Sequence, residues 1–210
     1  MIFLKSSESV TNLREIYRNT EDDMSQETIA QLEHRLAILE AESEVRRVQA
    51  RYMFLCDTPN PEFGSEDDAD RIDRIMELFA PEAVWEGVGE YYDNQFGRAE
   101  GWDAVKKHFQ GFWGGKTDPA LILNCHYLTS EQIRVADDAM TAEGNWVHMQ
   151  PWLFSDGKAL LRSSRLWNSY RKCDDGKWRF TRNRTENVFV APLPATWASD
   201  YPSKSVLMAP

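Results

Sequence analysis

The sequence is poor in cysteine and in long apolar runs. These shortages argue against a disulfide-rich protein and against a membrane-spanning protein. Its 3 cysteines, Cys56, Cys125 and Cys173, are odd in number and show no C-x-x-C spacing. This usage is typical of reduced thiols in a cytoplasmic protein and not of a disulfide framework. No apolar run approaches the roughly 20 residues that span a bilayer. We therefore expect a cytoplasmic protein with no membrane partner.

Positive charge is also scarce. The 34 acidic residues outnumber the 24 lysines and arginines, which gives a formal net charge of -10. A phosphate-backbone partner requires a basic surface, so we expect no nucleic-acid partner. No metal-ligand spacing, phosphate-binding Gly-rich loop or G-x-S-x-G motif is present. We therefore expect neither a metal nor a cofactor.

Aromatic residues, in contrast, are plentiful. They make up 12% of the 210 residues, and hydrophobic residues make up 42%. A chain of this length suggests one domain. This composition is enough to build a core and to leave aromatic side chains for the wall of a pocket.

Helical periodicity dominates the first part of the chain. Apolar residues recur at helical spacing up to Leu55, and Ser25 or Thr28 is suited to cap such a helix. We predict one long helix or two abutting helices over residues 26–56, preceded by a loose arm over residues 1–24. The first half of this helix could pair with another subunit through Leu32, Leu36 and Leu39.

Two further helices and two short strands are predicted next. Asp68 is suited to cap a helix that Pro81 ends, and residues 83–87 and 90–96 are predicted to be strands. A third helix begins at Gly101 and is stopped by Gly114-Gly115.

The remainder of the chain is strand-like. Long runs over residues 121–135, 139–154, 159–171 and 178–190 are separated by turn sequences such as Asp174-Asp175-Gly176-Lys177. Helices followed by an antiparallel meander predict an α+β domain over residues 25–190, in which a curved sheet wraps the helices around a cone-shaped cavity. The proline-containing residues 191–210 are predicted to form a C-terminal arm.

Asp57 stands at the end of the first predicted helix. A carboxylate is disfavoured there, because the C-terminal end of a helix carries partial negative charge. One explanation is a turn, since Thr58-Pro59 follows and breaks the helix. The other is that Asp57 faces a cavity and holds a partner there.

Several segments together resemble the nuclear-transport-factor-2-like (NTF2-like) superfamily, in its SnoaL-like branch with a cystatin-like fold. They occur in the family's order and spacing over roughly residues 30–190. They are Tyr52-x-x-x-x-Asp57, the run from Leu78 to Trp85, the loop and helix from Gly97 to Phe109, Asn124-Cys125-His126, and the hairpin from Asp175 to Phe180. Within the branch, Tyr52, Asp57 and His126 are similar to a catalytic set of bile-acid 7α-dehydratase and scytalone dehydratase.

The resemblance implies a site inside the cone. His126, oriented by Asp57, would be a general base, and Tyr52 a hydrogen-bond donor, although a core tyrosine is the alternative. Two family positions differ, because Gly87 stands where a second tyrosine is expected and Asn187 where an arginine is expected. The residues expected to contact a ligand are Trp85, Trp146, His148, Phe109 and Asn187.

Other candidate residues keep two interpretations. His148 is either a second acid or base or an interface histidine, whereas His108 and His34 are interpreted as structural or exposed. Arg162 and Arg165 either anchor an acidic group or lie in solvent or an interface.

Two functions follow from the resemblance. The first is a cofactor-free lyase, such as a dehydratase, or an isomerase acting on a small, apolar, cyclic molecule. The second is a non-catalytic binding module or a small subunit of a larger oxygenase. In either case we expect a homodimer or a homotrimer, because the open face of a curved sheet needs covering.

Overall fold

The computed structural model describes residues 6–58, 65–113, 117–194 and residue 196. The predicted stop at Gly114-Gly115 and most of the predicted C-terminal arm over residues 191–210 lie outside these residues. The described part of the chain contains no helix with the length and apolar character needed to cross a membrane.

Helix α1 (Ser6–Cys56) is longer than predicted. It begins at Ser6 and not at Ser25, so the loose arm predicted up to residue 24 is wrong from Ser6 onwards. Polar residues such as Glu, Arg and Gln propagate a helix without any apolar period, which is why periodicity does not detect this part. The chain divides into two compact units, one ending at Glu40 and the other beginning at Ala41.

Two shorter helices follow the predicted pattern. Helix α2 (Asp68–Met76) is capped by Asp67 and not by Asp68 as predicted, because the Asp67 side chain accepts a hydrogen bond from the backbone N–H of Asp70. Helix α4 (Trp102–Trp113) buries Val105 and Phe109. Both helices therefore turn an apolar face inward, as their spacing predicts.

Two local predictions are wrong. Helix α2 ends at Met76 rather than at Pro81, and strand β1 (Phe79–Val88) runs through that proline. The segment predicted as a strand over residues 90–96 contains helix α3 (Glu90–Gln95). Its two tyrosines suit a strand by local preference, but packing decides, because the Tyr92 side chain is buried in the helical conformation.

The strands form one mixed, curled sheet. They are β1, β2 (Arg98–Glu100), β3 (Leu121–Asn124), β4 (Tyr127–Val135), β5 (Thr141–Phe154), β6 (Ala159–Lys172) and β7 (Trp178–Pro192). Their order is β2-β1-β7-β6-β5-β3, and β4 also pairs with β5. All pairs are antiparallel except β1 with β7, which is parallel. The cone-shaped α+β, cystatin-like fold predicted from the sequence is confirmed.

Strands β3 and β4 lie along the same edge of β5, one after the other. The single strand predicted over residues 121–135 is therefore interrupted, at Cys125 and His126. This break is what releases His126 from regular pairing at the edge of the sheet.

The core of the second unit lies between α1 and the inner face of the sheet. Side chains from the end of α1 pack with α2, α4 and the strands, among them Val45, Leu55, Ile75, Phe79 and Phe180. Gly144 on β5 has no space for a side chain, because a Cβ atom there would overlap the indole ring of Trp146.

Candidate active site

A cavity of about 890 Å³ is lined by residues of α1, α2, α4 and the sheet. A large group of aromatic side chains lines it, including Trp85, Phe96, Phe109, Phe112, Trp113 and Trp152. The volume lies within the range of about 300–1,000 Å³ that is usual for small-molecule sites. The cavity therefore suits an apolar molecule with a few polar groups.

The predicted contact between Asp57 and His126 is present on one side of this cavity. Asp57 Oδ1 lies 2.6 Å from His126 Nδ1 and also accepts the backbone N–H of His126 at 3.0 Å. Helix α1 ends at Cys56, and Thr58 pairs with Asn124 through two backbone hydrogen bonds. The end of the helix is thereby fixed to β3, so Asp57 need not follow the helical direction of Tyr52.

A chain of amide hydrogen bonds selects the tautomer of the neutral His126 ring. The carbonyl of Cys56 accepts from Asn124 Nδ2, so Asn124 Oδ1 faces the other way and accepts from Gln150 Nε2 at 2.5 Å. Gln150 Nε2 lies 3.2 Å from His126 Nε2 and can only donate to it. His126 Nε2 is therefore an acceptor, and the proton lies on Nδ1, toward Asp57.

Tyr52 lines the cavity as a neutral hydroxyl. Its oxygen accepts a hydrogen bond from Trp85 Nε1 at 2.9 Å, and the hydroxyl also hydrogen-bonds with the Cys56 thiol, a weak partner that a ligand oxygen would replace. Burial raises the pKa of Tyr52 well above its usual value. A neutral phenol at the wall of an apolar cavity is suited to hydrogen-bond a carbonyl oxygen or a developing oxyanion.

Two more histidines face the same cavity. The His148 ring stacks on His126 with centroids 5.1 Å apart, and both of its nitrogens are buried without a hydrogen-bond partner among the described residues. Burial lowers the pKa of His148 well below its usual value, and the nearby His126 and Arg162 lower it further. His148 is thus a neutral, unsatisfied group that a bound ligand can hydrogen-bond.

His108 on α4 is a cavity residue and not an exposed one. Its ring lies against Trp85 at a centroid distance of 4.1 Å, and its Nε2 has no partner among the described residues. Burial lowers the pKa of His108 to about 4. The helical spacing of α4 places His108 beside Phe109 and Phe112, a signal that its charged sequence neighbours obscure.

A comparison of the sequence with models of known protein families identifies the family of this chain. A family model for a SnoaL-like domain matches residues 37–184 of the chain. The chain belongs to the SnoaL-like domain family. A comparison with curated proteins gave no match.

Solved structures show how widely this SnoaL-like fold recurs. A type 2 hexachlorocyclohexane dehydrochlorinase, LinA, has 16% identity and a TM-score of 0.59, with 76% of this chain and 93% of that chain covered. A protein of Novosphingobium aromaticivorans proposed to be a scytalone dehydratase has 16% identity and a TM-score of 0.56, with 75% and 91% covered. An NTF2-like protein with a cystatin-like fold from the same species has 20% identity and a TM-score of 0.52, with 75% and 88% covered. At such identities the likeness shows the fold.

The structure brings most of the predicted ligand-contacting residues to the cavity, but not all. Trp85, Phe109 and His148 line it. Trp146 is instead part of the core beside Tyr170 and donates to Glu131, and Asn187 lines a separate pocket with Glu90, Tyr91, Gln95 and Val190. Both lie on strands of the SnoaL-like sheet but do not line the cavity.

The buried, neutral His108 predicts a specific loss of stability in acid. Its pKa falls from 6.5 to about 4 on folding, so between these pH values the unfolded chain binds the proton and the folded chain does not. The free energy of unfolding therefore decreases as the pH falls through this window. His108→Phe keeps the aromatic contact and removes the titration, so urea unfolding at pH 7.5 and 4.5 isolates the contribution. Between pH 7.5 and 4.5, we expect the free energy of unfolding of the wild type to fall by on the order of 1–3 kcal/mol more than that of the variant. An equal fall in both proteins would contradict the assignment of His108 as a buried, neutral histidine.

Proposed function

We propose that this SnoaL-like protein is a cofactor-free lyase or isomerase that acts on an apolar cyclic substrate with a carbonyl group. One observation carries the proposal: Asp57 Oδ1 lies 2.6 Å from His126 Nδ1, beside an aromatic cavity that both His126 and Tyr52 line. A histidine held in this way presents Nε2 as a general base. The aromatic wall supplies binding to the apolar part of the substrate.

The reaction begins with proton transfer to His126. Nε2 takes a proton from the carbon next to the carbonyl, and the resulting imidazolium is stabilised by Asp57. The enolate oxygen accepts a hydrogen bond from the Tyr52 hydroxyl. In a dehydratase, the enolate electrons then expel the β-hydroxyl, which receives the proton from His126 and leaves as water. In an isomerase, the same proton returns to a different carbon.

The neighbouring structures are compatible with this chemistry. The names dehydrochlorinase and dehydratase both describe eliminations, in which a proton and a leaving group are removed from adjacent atoms. The fold hosts many functions, so these names add support only beside the site geometry.

The experiment uses proton exchange, because it needs only the first step. Wild-type protein is incubated in D₂O with a panel of cyclic β-hydroxy ketones and steroid-like enones, and exchange of the α-proton is followed by NMR. We expect at least one panel member to exchange faster with the protein than in buffer alone. Absence of exchange for every member that binds would overturn the proposal.

A second candidate function is non-catalytic binding. It is favoured by the Gln150 amide, which occupies His126 Nε2 and must move before that nitrogen can accept a proton. A binding module or an oxygenase small subunit would keep this hydrogen bond when a ligand is present. Tight binding with no exchange in the same NMR samples would favour this function.

The expected homodimer or homotrimer stays a prediction. It is supported by exposed apolar side chains at helical spacing on α1, namely Ile29, Leu32, Leu36 and Leu39. Such a stripe is typical of a helix that packs against another chain. Light scattering at micromolar concentration tests it, and a monomer mass would contradict it.

A further inference from the structure

Helix α2 turns an arginine toward the core side of the protein. Its buried face consists of Arg71, Ile72, Ile75 and Met76, and Arg71 is only 4% exposed. Arg71 also lines the cavity that contains His126. A guanidinium in such a place is costly unless its charge and its N–H groups are satisfied.

The available partners satisfy this guanidinium incompletely. Its Nε and Nη1 are buried and make no hydrogen bond within the described part of the chain. The carboxylate of Asp68 is 3.5 Å from Nε, an ion pair without hydrogen-bond geometry, and the Asp68 side chain is half exposed. The guanidinium carbon also lies 5.0 Å from the ring of Trp113. As far as the described residues go, donors of Arg71 are therefore left for a molecule in the cavity.

Arg74, one turn later on the same helix, has its guanidinium paired with a carboxylate. Its Nε lies 3.0 Å from Asp70 Oδ1 and 2.9 Å from Asp70 Oδ2. Arg74 does not line the cavity. It thus provides a matched control for the loss of an arginine from α2.

Among the described residues Arg162 is also buried, and its Nε and Nη1 likewise lack a partner there, but it is less accessible to a ligand. It is fully buried, donates to Gln95 at 2.6 Å and is packed against aromatic rings, with Trp152 at 3.9 Å. Gln95 and Trp152 line the cavity, whereas Arg162 does not. A ligand would reach Arg71 directly but would have to displace these side chains to reach Arg162.

We propose that Arg71 binds an anionic oxygen of the ligand, a carboxylate carried on an apolar ring, and so selects acidic over neutral cyclic molecules. The guanidinium offers planar N–H donors of the geometry that carboxylates accept. This inference rests on the proposed function only for the apolar cyclic character of the ligand.

The test compares ligands that differ in charge but hardly in shape. Aromatic and alicyclic carboxylates are paired with their primary amides, for example 2-naphthoate with 2-naphthamide, and binding is measured by calorimetry at pH 7.5. We expect wild type to bind the carboxylate of at least one pair about 10–100-fold more tightly. Arg71→Met should abolish this preference, and Arg74→Met should keep it.

Three outcomes would overturn the inference. One is a wild-type panel in which no carboxylate binds better than its amide, which requires no variant at all. A second is a preference that persists in Arg71→Met, and a third is a preference that Arg74→Met loses equally. If Arg71→Met proves unstable, Arg71→Lys is measured in its place. It keeps the charge but not the planar donors, so it should retain part of the preference for the carboxylate. Exchange of the α-proton of neutral ketones by the wild type is independent of all these results. Failure of the Arg71 proposal is therefore distinguishable from failure of the proposed function.

Discussion

Replacement of His126 by Ala is expected to slow α-proton exchange by about 10²–10⁴-fold, the usual contribution of a general base. Ligand affinity should change only slightly. The aromatic wall binds the ground state and the transition state alike, whereas the imidazole acts only when the proton moves. Exchange is measured by NMR in D₂O and affinity by calorimetry on the same ligand.

Replacement of Asp57 by Asn should have a comparable effect for a different reason. The amide introduced by this change keeps the shape of the carboxylate but lacks its charge, so it no longer stabilises the imidazolium that forms when Nε2 takes the proton. In the Ser-His-Asp triad, the corresponding change lowers the rate by about 10⁴-fold. His34→Ala, an exposed change on α1, is the control and should leave exchange unaltered. If either site variant exchanges as fast as wild type, His126 is not the base.

The sequence predicts the Asp57–His126 contact only through the resemblance, because 69 positions separate the two residues and no local pattern links them. What the sequence misses is the support of that contact. Asn124 and Gln150 look like ordinary strand residues, and their amide chain to Cys56 becomes visible only when three elements meet. The alternation of buried residues along β5 does place Gln150 on the same face as His148, which is the signal that could have found it.

The same contrast holds for the fold. Strands β5, β6 and β7 are predicted well, since turns with glycine separate long runs of strand-forming residues. Helix α3 is not, because its conformation depends on Tyr92, whose hydroxyl lies 2.8 Å from the Ser164 hydroxyl on β6. A tertiary contact of this kind overrides local preference and leaves no periodic trace. Arg71 illustrates a further limit, because its spacing marks it as inward-facing but its charge suggests the surface.

Replacement of Phe180 by Ala is expected to cause a large loss of stability. The ring is fully buried and contacts three others, with centroids at 5.0 Å from Phe79, 5.3 Å from Tyr52 and 4.7 Å from Tyr170. Removing a buried phenylalanine typically costs about 3–5 kcal/mol, and a domain is stable by only about 5–15 kcal/mol. Urea unfolding should show a lower midpoint with an unchanged slope.

Phe189 on the same strand supplies the control. Its side chain is 40% exposed, so Phe189→Ala should change the free energy of unfolding far less than Phe180→Ala. Equal losses would show that the contacts of Phe180 do not set its contribution. Because Phe180 also holds the Tyr52 ring, the folded fraction of Phe180→Ala should exchange α-protons more slowly than wild type, whereas Phe189→Ala should not. The core that stabilises this sheet would then also position the hydroxyl that is proposed to stabilise the enolate.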